Sequence, residues 1–399
     1  MSTDNPILLA FSGGLDTSFC VPWLRDTYGR PVVTVTVDTG GLSPADAESL
    51  SARSEALGAV RHVHVDARSS FFDQVLRFLI FGNVRRGHFY PLCVGAERVI
   101  QAQTMARIAS ELGSDTVAHG CTAAGNDQVR FEVALRTLNP ELQILAPVRD
   151  NTWAREDQLS YLEKHELPMP PGGGAYSINR GLWGVTIGGR ETLGSSESIP
   201  ESAWVLSQGA FDAPPAPERH VLGFEAGVPA SLDGKALDGV ALLEALETMG
   251  APFGIGRGIH LGDTVLGTKG RVAFEAPAAE IVLTAHRELE KLTLTGWQQR
   301  LKDQVAASYG ELVHVGQHLD PACRDAEALL ESSQARVSGE VNLLLRPGQV
   351  FVEGATSSHS LMAASRGAYG EAAAEWTAGD AVGYSKLLSL PGMLYTRAA

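Results

Sequence analysis

The fold of this chain is decided by one short stretch, Ala10-Phe11-Ser12-Gly13-Gly14-Leu15-Asp16-Thr17-Ser18. It follows an apolar run, residues 7–11, that is typical of a short buried strand. It precedes residues 19–28, whose apolar side chains suit one face of a helix. A strand, a glycine turn and a helix in this order aim backbone N–H groups, the positive end of the helix dipole and the hydroxyls of the turn at one point. The stretch therefore predicts a binding site for a phosphate chain.

Two features of this stretch need separate explanations. Gly13 and Gly14 permit a backbone with positive φ and let an anion approach the main chain closely. Asp16 is harder to explain because a carboxylate repels phosphate, and two interpretations stay open: a cap of the helix, or a ligand of the Mg²⁺ that accompanies a nucleotide. The stretch is not the P-loop of kinases and GTPases, because it has no lysine, and it is not G-x-G-x-x-G. An ordinary glycine-rich connection between a strand and a helix is the alternative.

Composition narrows the class of protein. The chain has 399 residues, of which 44% are hydrophobic, and this size suggests two or three domains. A net charge of -14 argues against a nucleic-acid surface. The four cysteines form neither C-x-x-C pairs nor a zinc pattern, which favours a reduced, cytoplasmic compartment. We expect no signal peptide, because the first six residues lack a basic region, and no apolar run is long enough to cross a bilayer.

Short β-branched runs alternate with helical stretches up to about residue 165. We predict strands at residues 32–37, 62–65, 116–118 and 143–145, and helices at residues 44–57, 71–81, 96–112, 127–138 and 155–165. Such alternation implies an α/β fold with a parallel sheet covered on both faces. Ligands bind at the carboxyl ends of the strands in sheets of this kind, so the loops that follow the strands should carry the chemistry.

Two of these loops have unusual sequences. Asp38-Thr39-Gly40-Gly41 follows the second strand, and His119-Gly120-Cys121-Thr122-Ala123-Ala124-Gly125-Asn126-Asp127-Gln128-Val129-Arg130-Phe131 spans the junction after the fourth. Asn126 and Asp127 are both suited to cap the next helix, although a cap requires only one of them. Arg130 lies three to four residues further on, so it can share the first helical turn with both.

The motifs S-G-G-L-D-T-S and H-G-x-T-x-x-G-N-D-Q-V-R-F, in this order, resemble those of the argininosuccinate synthase family. Its members belong to the PP-loop ATP pyrophosphatases and join citrulline to aspartate with release of AMP and pyrophosphate. The resemblance covers most of the chain. It implies a nucleotide-binding domain over residues 1–168, an α+β synthetase domain over residues 169–355 and a C-terminal oligomerisation segment over residues 356–399. It also implies ATP as a substrate, Mg²⁺ and a homotetramer.

The resemblance further assigns residues to ligands. For ATP it implies Ala10, Phe11, Ser12, Gly13, Gly14, Leu15, Asp16, Thr17, Ser18, Val37 and Gly120. For the substrate aspartate it implies Thr122, Asn126 and Asp127. For citrulline it implies Tyr90, Asn126, Arg130, Ser177 and Thr186.

The chemistry of these side chains agrees with the assignments. Arg130 suits a carboxylate, Asp127 suits an ammonium, and Asn126 can both donate and accept. We predict catalytic roles for Asp16 and Asp127 and no covalent nucleophile, so positioning and electrostatics should supply the catalysis. His119 or Asp127 is the candidate acceptor for the proton of the aspartate amine.

The citrulline positions depart from the family pattern in several places. Gly95 stands where the family has a serine, and Thr186 replaces a second serine but keeps a hydroxyl. Gly262 falls on the position of a glutamate and Phe274 on that of a tyrosine, and Asp263 is the nearest carboxylate that could substitute. Either citrulline is bound by other groups, or the acceptor is a different ureido or amide compound. We favour the first interpretation, because the other citrulline positions are retained.

The second half of the chain mixes hairpins with helices, which predicts an α+β domain. A proline- and glycine-rich break at residues 167–174 indicates the domain junction. We predict strands at residues 221–225, 228–232, 341–345 and 350–353, with turns at residues 226–227 and 346–348, and helices at residues 239–249, 279–289 and 297–309. The tail beyond residue 356 is rich in Ala and Ser and carries Tyr369, Trp376 and Tyr384. In the resembling family this segment contacts neighbouring subunits.

Three other classes of protein fit less well. An amidating PP-loop ligase would carry a glutaminase domain or an N-terminal cysteine, whereas residue 2 is Ser2. A sulfur-transfer enzyme would need paired cysteines and a basic face. A nucleotide-binding sensor would keep the glycine loop but would have little use for Asn126, Asp127 and Arg130 together. The sequence does not decide whether a phosphate or solvent surrounds the side chains of Arg85, Arg86 and His88.

Overall fold

A computed structural model describes residues 5–123, 125–169, 176–365 and 375–398 of the chain. Its first sheet has five parallel strands: β1 (Ile7–Ala10), β2 (Val32–Asp38), β3 (Arg61–Asp66), β4 (Thr116–Ala118) and β5 (Gln143–Leu145). Their spatial order is β3-β2-β1-β4-β5, so the order reverses between β1 and β4. A crevice forms at such a switch point, outside the carboxyl ends of the two strands. The glycine turn and the loop after the fourth strand therefore meet there.

Helices cover both faces of this sheet. They are α1 (Leu15–Tyr28), α2 (Pro44–Ala56), α3 (Arg68–Phe71), a π-helical turn (Phe72–Leu76), α4 (Arg77–Gly82), α5 (Arg98–Glu111), α6 (Asp127–Leu138), α7 (Pro147–Asp150) and α8 (Arg155–Lys164). Alternate residues of β1 serve opposite faces: Ile7 and Leu9 pack with Phe19 of α1, whereas Leu8 packs with Val35 in the other core. The predicted α/β alternation is confirmed, with α1 beginning four residues earlier than expected.

The second half contains two antiparallel sheets. The strands are β6 (Ser177–Gly181), β7 (Gly184–Gly188), β8 (Glu218–Glu225), β9 (Val228–Leu232), β10 (Lys235–Ala236), β11 (Arg257–Asp263), β12 (Lys269–Glu275), β13 (Gly339–Arg346) and β14 (Gln349–Thr356). They form one sheet in the order β10-β9-β8-β13-β14 and another in the order β11-β12-β7-β6. The predicted hairpins of the first of these sheets are confirmed. The second sheet was not predicted.

Four helices accompany these sheets: α9 (Gly239–Gly250), α10 (Pro277–Thr293), α11 (Gly296–His314) and α12 (Pro321–Ser333). The first three confirm predicted helices, and α12 was not predicted. The expected α+β character of this half is therefore confirmed.

The four-stranded sheet is held against the half that contains the parallel sheet by the turn between β6 and β7. The backbone N–H of Leu182 donates to the carbonyl of Thr39 at 2.9 Å, and the indole of Trp183 donates to the carbonyl of Pro91 at 2.8 Å. Gly40 has φ +110°, and a Cβ there would collide with the backbone of Leu182. The loop after β2 therefore packs directly on this turn, and one face of the sheet closes over the carboxyl ends of the parallel strands.

The chain ends in α13 (Leu361–Ala364) and α14 (Ala378–Arg397). Apolar side chains of α14 are exposed, including Tyr384 (65%), Leu387 (70%) and Tyr395 (84%). Most of the predicted junction (residues 170–174) and Tyr369 lie outside the described residues. Among the residues that are described, no helix has the length and hydropathy needed to span a membrane.

Candidate active site at the carboxyl ends of the parallel strands

The turn between β1 and α1 presents backbone donors at the switch point. Gly13 has φ +72°, and Gly14 is the N-cap of α1 in an extended conformation. The backbone N–H groups of residues 12–14 donate to no acceptor in the described parts of the chain. The hydroxyls of Thr17 and Ser18 donate instead to the carbonyls of Gly14 and Gly13, at 3.3 and 3.4 Å. The backbone N–H groups of this turn are therefore available to an anion, and the two hydroxyls stabilise the turn.

Asp16 is the second residue of α1 and does not cap it. The N-cap is Gly14, which has no side chain to do so, and the capping interpretation of Asp16 is therefore wrong. Its carboxylate accepts no hydrogen bond from the residues the structure describes, so its oxygens remain available to a cation. Gly120 packs against it, because a Cβ at Gly120 would lie 3.2 Å from the Cβ of Asp16. We call residues 10–18, Val37 at the end of β2, and Gly120 the nucleotide side of the site.

Asp127 begins α6 and joins two arginines. Its Oδ2 accepts from Arg98 and its Oδ1 from Arg130, each at 2.9 Å. Burial alone would raise the pKa of Asp127, but the two guanidiniums outweigh it and lower the pKa to about 2. Asp127 is therefore ionised throughout the neutral range. About 30% of its side chain stays exposed toward the crevice, where an ammonium group can approach.

Arg130 is buried with its guanidinium fixed in place. Its Nε donates to the carbonyl of His314 at 2.7 Å, and its Nη2 donates to Nδ1 of His314 at 3.1 Å. With the bond to Asp127, three of its five N–H donors are used and two remain. A Cβ at Gly95 would lie 2.8 Å from the guanidinium carbon. Arg130 therefore occupies the space that any side chain at position 95 would need, including the serine that the family resemblance implies there.

Asn126 and Thr122 lie in the loop before α6. Asn126 occupies the N-cap position, but its side chain makes no capping hydrogen bond. Its Oδ1 instead accepts from the backbone N–H of Val265 at 2.9 Å, in the hairpin between β11 and β12. The structure thus ties this loop to the second half of the chain. Thr122 is exposed at the crevice.

His119 is held on both ring nitrogens. Its Nδ1 accepts from the backbone N–H of Cys121 at 3.2 Å, and its Nε2 lies 3.4 Å from Oε1 of Glu132. Because the ring is buried and bonded on both sides, His119 supports the loop rather than facing the crevice.

The remaining predicted positions come together on one face of the four-stranded sheet. Thr186 of β7 pairs with Asn179 of β6 and with Phe274 of β12. Directly opposed residues point to the same face, as do residues two apart along a strand. Ser177 therefore shares this face, and so does His260 of β11, since Gly258 pairs with Phe274. We call this sheet face, with Tyr90 and Arg130, the acceptor side of the site.

Tyr90 lies between this sheet face and the parallel strands. Its ring stacks on His260 with centroids 5.2 Å apart and packs edge-on against Phe274 at 5.1 Å. Burial raises the pKa of its hydroxyl, so the phenol stays protonated.

Asp263 is not brought to the acceptor side. It lies three residues beyond His260 on a regularly paired strand and therefore faces away from it. Its exposed carboxylate forms an ion pair with Lys269. Asp263 therefore does not substitute on this face for the glutamate that the family resemblance implies. Another group must take over the contact with citrulline that the resemblance assigns to that glutamate.

Sequence reasoning missed Glu97, Arg98 and Asn179. Arg98 donates to both Glu97 and Asp127, at 2.8 and 2.9 Å, and its Nη2 lies 3.5 Å from the amide oxygen of Asn179. Glu97 also accepts from Thr39 at 2.9 Å. Burial raises the pKa of Glu97 to about 7, although Arg98 and Thr39 favour its charged form. The only sign of these residues in the sequence was a Glu-Arg pair at the start of a predicted helix. No motif distinguished this pair from an ordinary charged pair.

The two arginines in the segment before Tyr90 contact the second half of the chain. Arg85 pairs with Glu280 at 2.9 Å, and Arg86 donates to the carbonyl of Asp263 at 2.8 Å. Both arginines therefore bind protein groups of the second half. His88 is exposed and has φ +62°.

Comparison with known proteins gives a consistent result. Residues 6–168 match the family model "Arginosuccinate synthase N-terminal HUP domain", and residues 176–395 match "Arginosuccinate synthase C-terminal domain". The argininosuccinate synthase of Xanthomonas campestris pv. campestris is 40% identical over 98% of this chain and 98% of its own length. That of Symbiobacterium thermophilum is 37% identical over 97% of this chain and 96% of its own. The chloroplastic enzyme of Arabidopsis thaliana is 37% identical over 96% of this chain and 78% of its own.

Proposed function

The chain belongs to the argininosuccinate synthase family, and on that premise we propose how its own residues join citrulline to aspartate while ATP is converted to AMP and pyrophosphate. One observation carries the assignment of the site. The free backbone donors of residues 12–14 lie in the turn that leads into Asp16 and Thr17, and Gly120 packs against these two residues. The loop that follows Gly120 leads to the ion-paired Asp127. The groups that suit a nucleotide and the groups that suit an amino acid therefore line the same crevice.

The nucleotide side binds the triphosphate of ATP. The N–H groups of residues 12–14 and the N-terminus of α1 stabilise the charge that develops on pyrophosphate as it leaves. Ala10 to Ser18, Val37 and Gly120 form this part of the site. Asp16, whose carboxylate is not engaged by the described residues, would hold Mg²⁺, which when bound neutralises phosphate charge.

The acceptor side binds citrulline. The two unused donors of Arg130 suit its carboxylate, and Tyr90, Asn126, Ser177 and Thr186 supply hydroxyls and an amide around it. The ureido oxygen attacks the α-phosphorus of ATP, and the bond to pyrophosphate breaks. Citrulline then carries AMP on the ureido oxygen, which makes the ureido carbon electrophilic.

The loop before α6 binds aspartate. Asp127, ionised by Arg98 and Arg130, attracts the ammonium group, and Thr122 and Asn126 orient the substrate beside it. After the ammonium group gives up a proton to solvent, the amine attacks the ureido carbon, and AMP leaves with the former ureido oxygen. His119 is committed to Cys121 and Glu132, so we do not assign it the proton.

The organisation of the chain belongs to the same proposal. We assign residues 1–168 to ATP binding, residues 169–355 to substrate binding and residues 356–399 to oligomerisation in a cytoplasmic homotetramer. The exposed apolar side chains of α14 support the last assignment, because such a helix is stabilised when another subunit covers it.

Product analysis tests the reaction. The full chain is incubated with Mg-ATP alone, then with citrulline, then with citrulline and aspartate, and the nucleotides are separated. We expect AMP and pyrophosphate in equal amounts, with turnover only when both amino acids are present. Formation of ADP, or ATP binding without any turnover, would overturn the proposal in favour of a different acceptor or a sensor.

A further inference from the structure

His260 has a buried ring nitrogen that the fold does not use. Its Nε2 is shielded from solvent and has no hydrogen-bond partner among the residues that the structure describes. Buried polar atoms are nearly always paired, so an unpaired one at a crevice requires a reason. Burial and the nearby charge of Arg86 lower the pKa of His260, so the imidazole is neutral.

The position of His260 places this nitrogen on the acceptor side. The ring stacks on Tyr90 with an interplanar angle of 17° and shares its sheet face with Thr186 and Phe274. His260 is among the groups that lower the pKa of His314, the partner of Arg130. The imidazole therefore belongs to the same cluster as the guanidinium assigned to the citrulline carboxylate.

Two glycines of β11 flank the ring and leave room for the side chains around it. A Cβ at Gly262 would lie 2.5 Å from Nε2 of His260 and 3.1 Å from Nη1 of Arg86. Gly258, on the other side along β11, makes room for the rings of Phe89 and Phe274. Nε2 thus occupies the space of a side chain at position 262, and no carboxylate takes that place, because Asp263 faces away.

We propose that His260 is a binding residue for the acceptor amino acid, with Nε2 accepting a hydrogen bond from its α-ammonium group. This inference rests on the proposed function. A neutral imidazole offers one lone pair, which suits an N–H donor, while Arg130 on the same side takes the carboxylate. Arg130 therefore binds the α-carboxylate and His260 binds the α-ammonium group, so the ureido group at the other end of the molecule faces ATP.

The first test separates binding from packing. His260→Phe keeps an aromatic ring to stack on Tyr90 but removes the nitrogen, and His260→Gln keeps a hydrogen-bonding group. We expect His260→Phe to raise KM for citrulline about tenfold or more, the usual effect of losing a hydrogen bond to a charged group. KM for ATP and for aspartate should change less than about twofold, and His260→Gln should recover part of the loss. Leu261→Ala, exposed on the opposite face, is the matched control.

The second test identifies the substrate group. 5-Ureidopentanoic acid is citrulline without its α-amino group, so it cannot make the proposed bond. The wild type and His260→Phe should use it with the same kcat/KM, although they differ about tenfold with citrulline.

The outcomes are distinguishable. If the wild type uses citrulline and His260→Phe has an unchanged KM, or if KM rises equally for all three substrates, this inference is wrong and the proposed function stands. The inference is also wrong if His260→Phe lowers kcat/KM for citrulline and for 5-ureidopentanoic acid by the same factor. If the wild type does not use citrulline at all, the proposed function falls and the inference with it.

Discussion

The nucleotide side and the acceptor side of this site are built from different parts of the protein. The nucleotide side is built mainly from one continuous stretch, residues 10–18, whose free donors are the backbone N–H groups of residues 12–14, and Gly120 packs against Asp16 and Thr17 of this stretch. The acceptor side consists of side chains from four separate stretches, among them Tyr90, Arg130 and Thr186. A backbone site tolerates few changes, because its shape depends on φ and ψ. A side-chain site can be rebuilt one partner at a time, and we interpret Gly95, Gly262 and Phe274 as changes of this kind.

The largest effect should come from strain in the nucleotide turn. Gly13→Ala places a Cβ against Leu50 at φ +72°, so the turn must shift and its donors lose their alignment. We expect kcat/KM for ATP to fall about 100-fold, as misplacement by about 1 Å can do. Gly29→Ala is the matched control, because Gly29 ends the same helix at φ +61° with no atom within 4 Å of the added Cβ. It should lose stability only, about 1 kcal/mol. Similar activity losses in both variants would refute a nucleotide role for the turn.

A second prediction separates aspartate capture from activation. Asp127→Asn removes the charge that pairs with Arg98 and Arg130 and that faces the aspartate ammonium. We expect kcat/KM for aspartate to fall about 100-fold, while citrulline-dependent exchange of pyrophosphate into ATP falls only about tenfold through the loosened Arg130. Asp66→Asn, which breaks an exposed pair with Arg68, should change neither. Equal losses in the two assays would contradict the assigned role.

A third prediction concerns the rebuilt acceptor side. Gly95→Ser restores the residue of the family pattern, but its Cβ would lie 2.8 Å from the guanidinium carbon of Arg130. We therefore expect KM for citrulline to rise about tenfold, because Arg130 must move. Gly296→Ser, at a position with no atom within 4 Å of the added Cβ, should behave as the wild type. A lower KM in Gly95→Ser would show that the hydroxyl was simply missing.

The smallest effect concerns Glu97, which accepts hydrogen bonds from Thr39 and from Arg98, the partner of Asp127. The folded state raises its pKa from 4.5 to about 7, so it binds a proton more tightly than the unfolded chain does. Its contribution to the free energy of unfolding should therefore decline as the pH rises from about 4.5 to about 7, by on the order of 3 kcal/mol. Glu97→Gln should remove this part of the pH dependence in denaturant titrations, with kcat changed less than about threefold. An unchanged profile would mean that Glu97 is ionised throughout.

The sequence was most informative where local pattern decides structure. Residues 116–118 and 143–145 were predicted as strands with the bounds that β4 and β5 have, and the predicted glycine turn does lie between β1 and α1. The four-stranded sheet was not predicted because its strands contain many glycines and lack clear alternation. β6 (Ser177–Gly181), for example, is exposed over most of its length. Its stability comes from pairing with β7, which is not a property of the local sequence.

The arrangement of the acceptor side was not predicted, because it also depends on contacts between residues that are distant in the sequence. The consequence of Gly95 depends on the guanidinium of Arg130, thirty-five residues away, and the face of Asp263 depends on strand register. A one-residue difference along a strand reverses the direction of a side chain, so Asp263 cannot substitute for a group at position 262. His260 is a single histidine in a strand, and only the unpaired Nε2 distinguishes it from a packed ring.

The central claim is that a rebuilt acceptor side delivers the same ureido oxygen to an unchanged nucleotide side. Citrulline labelled with ¹⁸O in the ureido group tests it directly, with AMP analysed by mass spectrometry after turnover with ATP and aspartate. The account predicts one ¹⁸O atom in the phosphate of each AMP, because the oxygen that attacks phosphorus leaves with it. Unlabelled AMP formed in step with product would contradict the claim, since the ureido oxygen would then never have been bonded to phosphorus.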